Sequence, residues 1–220
     1  MLYIVPTPIG NLADITLRAL QILKDVDAVI AEDTRKSGYL LKHYSISKPL
    51  LSFHKFNEHQ TVSSLVKRMV SGEVFAFVSD AGTPGISDPG FLLIRKAIAN
   101  DIKVITLPGS TALIPAIVNS GLPCDRFTFE GFLPQKKGRR KRLESLKTES
   151  RSMIFYESPN RLLKTLENFI ETFGSERKAS VSREISKIYE DTQRGNLKEL
   201  LCFFNTTPAK GEIVIVIAGD

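Results

Sequence analysis

Apolar residues in this chain fall into short runs separated by longer stretches of helical periodicity. LYIV (2–5), AVI (28–30), VFAFV (74–78) and KVITL (103–107) are of strand length, and continuous apolar runs of this kind suit parallel strands buried on both faces. Between them Val62, Leu65, Val66, Met69 and Val70 recur at helical spacing, with Gly72 as a C-terminal stop. A further helix is predicted to start at Asp88-Pro89, with Asp88 as N-cap, Pro89 at the first position, and Phe91, Ile94 and Ile98 on one face. The alternation continues in the second half, where 126–132, 152–156, 179–184 and 213–218 read as strands. Ser158-Pro159 there opens a helix with a stripe of Leu162, Leu163, Leu166, Phe169 and Ile170. Such alternation predicts an α/β fold. Punctuation by Gly121 and Pro123 sets a domain boundary, giving α/β domains at 1–121 and 122–220 with a ligand cleft expected between them.

Composition narrows the function classes. With 42% hydrophobic and 25% charged residues, the chain is expected to fold as a globular protein. No apolar run approaches the ~18 residues of a membrane span, and MLYIVPTPIG lacks the pattern of a signal peptide. Cys124 and Cys202 have no metal-type or CxxC spacing, which fits a reduced, cytoplasmic setting. His43 and His59 have no companion ligands, so no metal site is expected, while His54, beside Lys55, reads either as a surface or hydrogen-bonded histidine or as a contributor to the acceptor site. The net charge of +6 becomes informative once located: Lys136, Lys137, Arg139, Arg140, Lys141 and Arg142 fall within seven positions. Blocks like this are either solvated surface or phosphate-binding patches. Were the anionic partner an RNA, the absence of RRM, KH or zinc-knuckle signatures would favour recognition of a folded or assembled RNA by shape over a linear code.

Four loops expected after strand ends are rich in Gly, Pro, Ser, Thr and Asp: PTPIGN (6–11), EDTRKSG (32–38), SDAGTPGISDPG (79–90) and LPGSTA (107–112). Loops at the carboxyl ends of parallel strands line the binding crevice. None is GxGxxG or GxxxxGK[ST], which disfavours an ordinary dinucleotide site and a P-loop. Twelve residues with three glycines and two prolines exceed what a strand-to-helix connection requires, so 79–90 reads as functional.

LYIVPTPIGNLADIT, EDTR, SDAGTPGISDPG, PGSTALIPAIVNSGLP, EGFLP with its basic cluster, FYESPNR and KGEIVIVIAG occur in this order. The set closely resembles the ribosomal RNA small subunit methyltransferase I family, a branch of the tetrapyrrole methylases, over essentially the whole sequence. Many members of that family continue beyond the last strand, whereas this sequence stops at Gly219-Asp220. The resemblance implies two α/β domains, commonly in a homodimer, and S-adenosylmethionine as cofactor. It implies 2′-O-methylation of a cytidine in small-subunit ribosomal RNA, free or assembled in the small subunit. By motif, the cofactor would meet Ile9, Ala81, Gly82, Thr83, Ile86, Thr111, Ala112, Tyr156 and Ser186. Methyl transfer from a sulfonium is an in-line displacement that needs alignment of the acceptor oxygen and a group to take its proton. Asp33 and Arg35 are candidates for positioning the acceptor, and Asp88 or Glu184 for the base, against the simpler reading that Asp33 and Asp88 only cap helices. The remaining rivals are a methyltransferase of the same fold acting on a tetrapyrrole or other small molecule, and a non-catalytic RNA-binding assembly protein.

Overall fold

The computed structural model describes all 220 residues, in two compact units, Met1–Thr111 and Ala112–Asp220. In the first unit, β1 (Leu2–Ile4), β2 (Ala28–Ala31), β3 (Leu50–Ser52), β4 (Phe75–Val78) and β5 (Val104–Thr106) form one sheet in the order β3-β2-β4-β1-β5. Every pairing in it is parallel. Because both faces are covered, successive residues of one strand feed two different cores. Leu2, Ile4, Ile30, Phe75 and Phe77 pack with the helices α3 (Glu58–Val70) and α4 (Phe91–Ile98). Val5, Val29, Ala31, Ala76 and Val78 pack with α1 (Leu17–Asp25) and α2 (Thr34–His43). This double burial explains why the strands read as unbroken apolar runs. β3 has no counterpart among the predicted strands because an edge strand of three residues carries little periodic signal.

The chain leaves β1 toward β2 on one side of the sheet and leaves β4 toward β5 on the other. Neighbouring strands whose connections depart in opposite directions define the switch point at which α/β sheets open a crevice. That point lies between β1 and β4, whose following loops are 6–11 and 79–90.

The expected start of α4 is corrected. Its N-cap is Gly90, at φ 136°, and Asp88 lies outside the helix. A Cβ at Gly90 would sit 2.5 Å from the Phe77 ring, so the chain turns into the helix where only glycine fits. The expected stripe shifts accordingly: Leu93 and Ala97 are buried, while Phe91 and Ile98 are 70% and 59% exposed.

In the second unit, β6 (Phe127–Phe132), β7 (Ser152–Glu157), β8 (Lys178–Arg183), β9 (Asp191–Asn196) and β10 (Ile213–Ile217) pair in the order β6-β7-β10-β8-β9. Only β6 and β7 are parallel; the other three pairings are antiparallel, so the parallel pattern of the first half does not carry over. β9 (DTQRGN) is a polar edge strand, invisible to hydrophobic patterning. One face packs against α7 (Leu162–Phe173) and α8 (Leu197–Thr206), with α6 (Arg139–Ser145) beside α7. α5 (Leu113–Ser120) contacts β8, β9 and β10 on this sheet. The division between units therefore falls at Thr111/Ala112, ahead of α5, whereas a boundary at Gly121 places this helix in the first domain.

Candidate functional site

The carboxyl ends of β1, β2, β4 and β5 carry the four polar loops, and hydrogen bonds join those loops to one another. Thr7 and Gly82 exchange two backbone hydrogen bonds of 2.9 Å, fastening the first loop to the long one. The Thr7 hydroxyl, buried, donates to the Ser79 carbonyl. Thr83 Oγ1 donates to the Ser110 carbonyl at 3.1 Å, and Ser110 Oγ donates to that of Asp14 at 3.0 Å. Gly109 lets the fourth loop lie against the first, since a Cβ there would meet Pro6 at 2.6 Å. Ile9, Ala81, Gly82, Thr83 and Thr111 thus belong to one knitted surface of the first unit, with Ile86 39% exposed beside it.

The second loop joins through Asp80. Its Oδ1 accepts from the Asp33 backbone N–H at 3.1 Å, and its Oδ2 pairs with Lys36 Nζ at 2.6 Å. Asp33 is the N-cap of α2, accepting from the Arg35 backbone N–H and binding its guanidinium through Nε and Nη2 at 3.0 and 2.7 Å. These bonds hold the Asp33 carboxyl well below the usual carboxylate range. The helix-capping reading of Asp33 is therefore realised, and the same carboxylate pairs with the exposed Arg35 guanidinium.

Asp88 behaves in the opposite way. It does not cap α4, and its half-buried carboxyl is pushed up to about 6, first by loss of solvent and next by the nearby negative charge of Glu32. The Ser79 hydroxyl draws it down and Asp80 pushes it further up. Glu32 is raised for the same reasons, burial first and Asp80 second. Three carboxylates therefore converge beneath the β4 loop, and the ion pair found among them is that of Asp80 with Lys36. No group of His, Cys, Asp and Glu in the chain has the arrangement of a metal site.

Ala112, Tyr156, Ser186 and Glu184 lie in the second unit. Tyr156, near the end of β7, packs edge-to-face against Phe129 and Phe132. Ser186 sits at φ 69° in the turn after β8, its N–H donating to Glu190. Glu184 accepts from Lys187 Nζ at 2.8 Å and from the Glu212 backbone N–H at 2.9 Å, which together lower its pKa. Its carboxylate clips the end of β8 to the start of β10.

The basic block divides into two kinds of residue. Arg139 donates to Thr165 at 2.7 Å and Asn168 at 3.0 Å, and Arg142 pairs with Glu130, whose side chain is 5% exposed. Both therefore brace α6. Lys136, Lys137, Arg140 and Lys141 are exposed and form no ion pair. Nothing in the charge pattern distinguishes the two kinds. Lys36 and Tyr39, which line a cavity against the β1 and β4 loops, are not evident from motif or charge; their one signal is their position within the first two turns of α2, beside the EDTR segment.

Comparison with known proteins fits this architecture. Residues 1–201 match the family described as Tetrapyrrole (Corrin/Porphyrin) Methylases. A cobalt precorrin-4 methyltransferase of cobalamin biosynthesis shares the fold at TM-score 0.72, with 17% identity over 99% of this chain and 94% of that one. A diphthine synthase does so at TM-score 0.74, with 14% identity over 99% and 89%. The class is thus an S-adenosylmethionine-dependent methyltransferase of the tetrapyrrole-methylase type. Proteins named ribosomal RNA small subunit methyltransferase I are much nearer in sequence. The one from Synechocystis sp. is 47% identical over 100% of this chain and 79% of its own length, and that of Pasteurella multocida 48% over 100% and 79%. That of Escherichia coli O157:H7 is 47% identical over 99% and 77%. The chain belongs to the ribosomal RNA small subunit methyltransferase I family.

Proposed function

We propose that this chain methylates the 2′-hydroxyl of a cytidine ribose in small-subunit ribosomal RNA. The relatives' names support the RNA, and the single structural observation behind the chemistry is the raised, half-buried carboxyl of Asp88 among the switch-point loops. The reaction would take place in the cytoplasm, on free ribosomal RNA or on the small subunit. No helix of the chain is long and apolar enough to cross a membrane.

The residues present suit S-adenosylmethionine. Small side chains at Ala81, Gly82 and Thr83 leave backbone free to approach a polar ligand, and the carboxylates of Glu32, Asp80 and Asp88 favour a cationic one. Bound there, the cofactor supplies an electrophilic methyl group. Ile9, Ile86 and Thr111 would hold it in the first unit, and Ala112, Tyr156 and Ser186 are its candidate contacts in the second.

Asp88 would accept the proton of the ribose hydroxyl. An ordinary aspartate is too weak a base at neutral pH, and a pKa near 6 brings this one closer to the optimum for proton transfer. Glu184 is the poorer choice: its carboxylate is ion-paired, hydrogen-bonded and shifted the other way. Asp33 would serve by holding Arg35, whose guanidinium keeps Nη1 for a phosphate. Lys136, Lys137, Arg140 and Lys141 would neutralise RNA phosphates. Exposed Phe91 and Ile98 on α4, with Val70 on the adjoining α3, favour a homodimer.

The test is tritiated methyl transfer from S-adenosylmethionine to small subunits lacking the modification, and to naked RNA, with the labelled nucleoside identified after nuclease digestion. Label in 2′-O-methylcytidine is expected. Label on a base, or transfer only to small molecules, would overturn the reading.

A further inference from the structure

A cavity of the first unit takes in Asp33 and Arg35 together with residues that the proposed chemistry leaves unused. It measures about 570 Å³ and lies between the first loop, α2 and the start of the long loop. Its apolar wall is Pro8, Leu12 and Leu40, with the Tyr39 ring, 67% exposed, at the edge. Arg35 and Lys36 stand on the same side, with side chains 88% and 63% exposed.

The three walls are tied in a ring. The Tyr44 hydroxyl at the end of α2 donates to the Leu12 carbonyl, joining α2 to the first loop. Asp80 joins α2 to the long loop through Lys36 and the Asp33 N–H. The Thr7–Gly82 pair joins the long loop back to the first. Such ties hold the three walls of this open cavity in place without a ligand, and its size lies within the range of small-ligand sites.

Its chemistry selects the occupant. An exposed aromatic ring beside an apolar wall accepts the flat face of a nucleobase, whose stacking is indifferent to sequence. The two cations retain unused donors after their ion pairs, Arg35 through Nη1 and Lys36 through two of its ammonium protons, and they suit the adjoining phosphates. We propose that this cavity receives one unstacked nucleotide of the RNA substrate, with its base on Tyr39 and its phosphates on Arg35 and Lys36. The inference rests on RNA being the substrate and adds the site where a single nucleotide is gripped.

The test compares wild type, Tyr39→Ala and Tyr39→Phe in filter binding of small-subunit RNA, in methyl transfer to small subunits, and in calorimetric binding of S-adenosylmethionine. Loss of one stacking contact should weaken RNA binding and raise KM by about 5- to 100-fold in Tyr39→Ala. Cofactor affinity should not change, and Tyr39→Phe should restore RNA binding because it keeps the ring. In wild type, RNA carrying 4-thiouridine should photocrosslink to the peptide containing Tyr39. Unchanged RNA affinity in Tyr39→Ala, or crosslinks confined to other peptides, would overturn the proposal. Weakened RNA binding in Tyr39→Ala alongside a wild type that transfers no methyl group would keep the nucleotide site and sink the methylation reading instead.

Discussion

At the level of single residues, Asp88 and Asp33 show how environment separates two similar carboxyls. Asp33 accepts three hydrogen bonds from Arg35 and stays ionised at any physiological pH. Asp88 loses solvent beside Glu32 and titrates near 6. If Asp88 takes the ribose proton, kcat/KM should rise with pH through about 6 and then level off. Asp88→Asn should remove that rise and slow transfer about 100-fold or more, a loss that persists at saturating cofactor. The same variant should melt at a higher temperature at pH 7. Burial lifts Asp88 above its ordinary value of 3.8, so its stability contribution is fully present below pH 4 and is lost as pH climbs through about 6. Asparagine removes that penalty. A lower Tm with unaltered pH dependence would show instead that Asp88 is a structural residue.

Among the elements, the second unit supplies two contrasting tests. Glu157, at the end of β7, is 3% exposed and accepts from Arg161 at 2.6 Å, from the Ser158 N–H at 2.7 Å and from Thr165 at 2.6 Å. Thr165 in turn accepts from Arg139, so the ESPNR segment fastens β7, α7 and α6 together. Glu157→Ala leaves these partners uncompensated and should cost about 3–5 kcal/mol, read from the midpoint of urea unfolding. Ser180 in β8 is fully buried and its hydroxyl has no hydrogen-bond partner. Ser180→Ala should therefore be neutral or stabilising, by up to about 1 kcal/mol in the same measurement. The pair shows why counting buried polar residues says little until their partners are known.

For the whole molecule, the excess of positive charge acts only where side chains are unpaired. Replacing Lys136, Lys137, Arg140 and Lys141 together by Gln should weaken RNA binding and reduce the dependence of log K on log salt by up to about 3, with cofactor affinity unchanged. Arg139→Ala should behave differently, lowering Tm because Thr165 and Asn168 lose the guanidinium between them. Equal loss of RNA and cofactor binding in the quadruple variant would count against an RNA role for the block.

Much of this organisation is legible in the sequence because its causes are local. Apolar runs mark the doubly buried strands β1, β2 and β4, helical spacing marks α3 and α7, and the ordered motifs carry the family, the cofactor class and the loops of the site. Short or polar edge strands such as β3 and β9 leave no such trace, since their pairing depends on neighbours distant in the chain. Tertiary structure alone assigns α5 to the second unit, through its packing on β8, β9 and β10. It alone moves the start of α4 to Gly90, freeing Asp88 from the cap that its sequence position suggests. Charge tells the same story: six cations in seven positions look alike in sequence, yet Arg139 and Arg142 are spent on bracing α6 while four others face solvent. Residue type determines which chemistry a side chain can perform. Its burial and the charges beside it are set by segments far away in sequence, and those decide whether the chemistry is available.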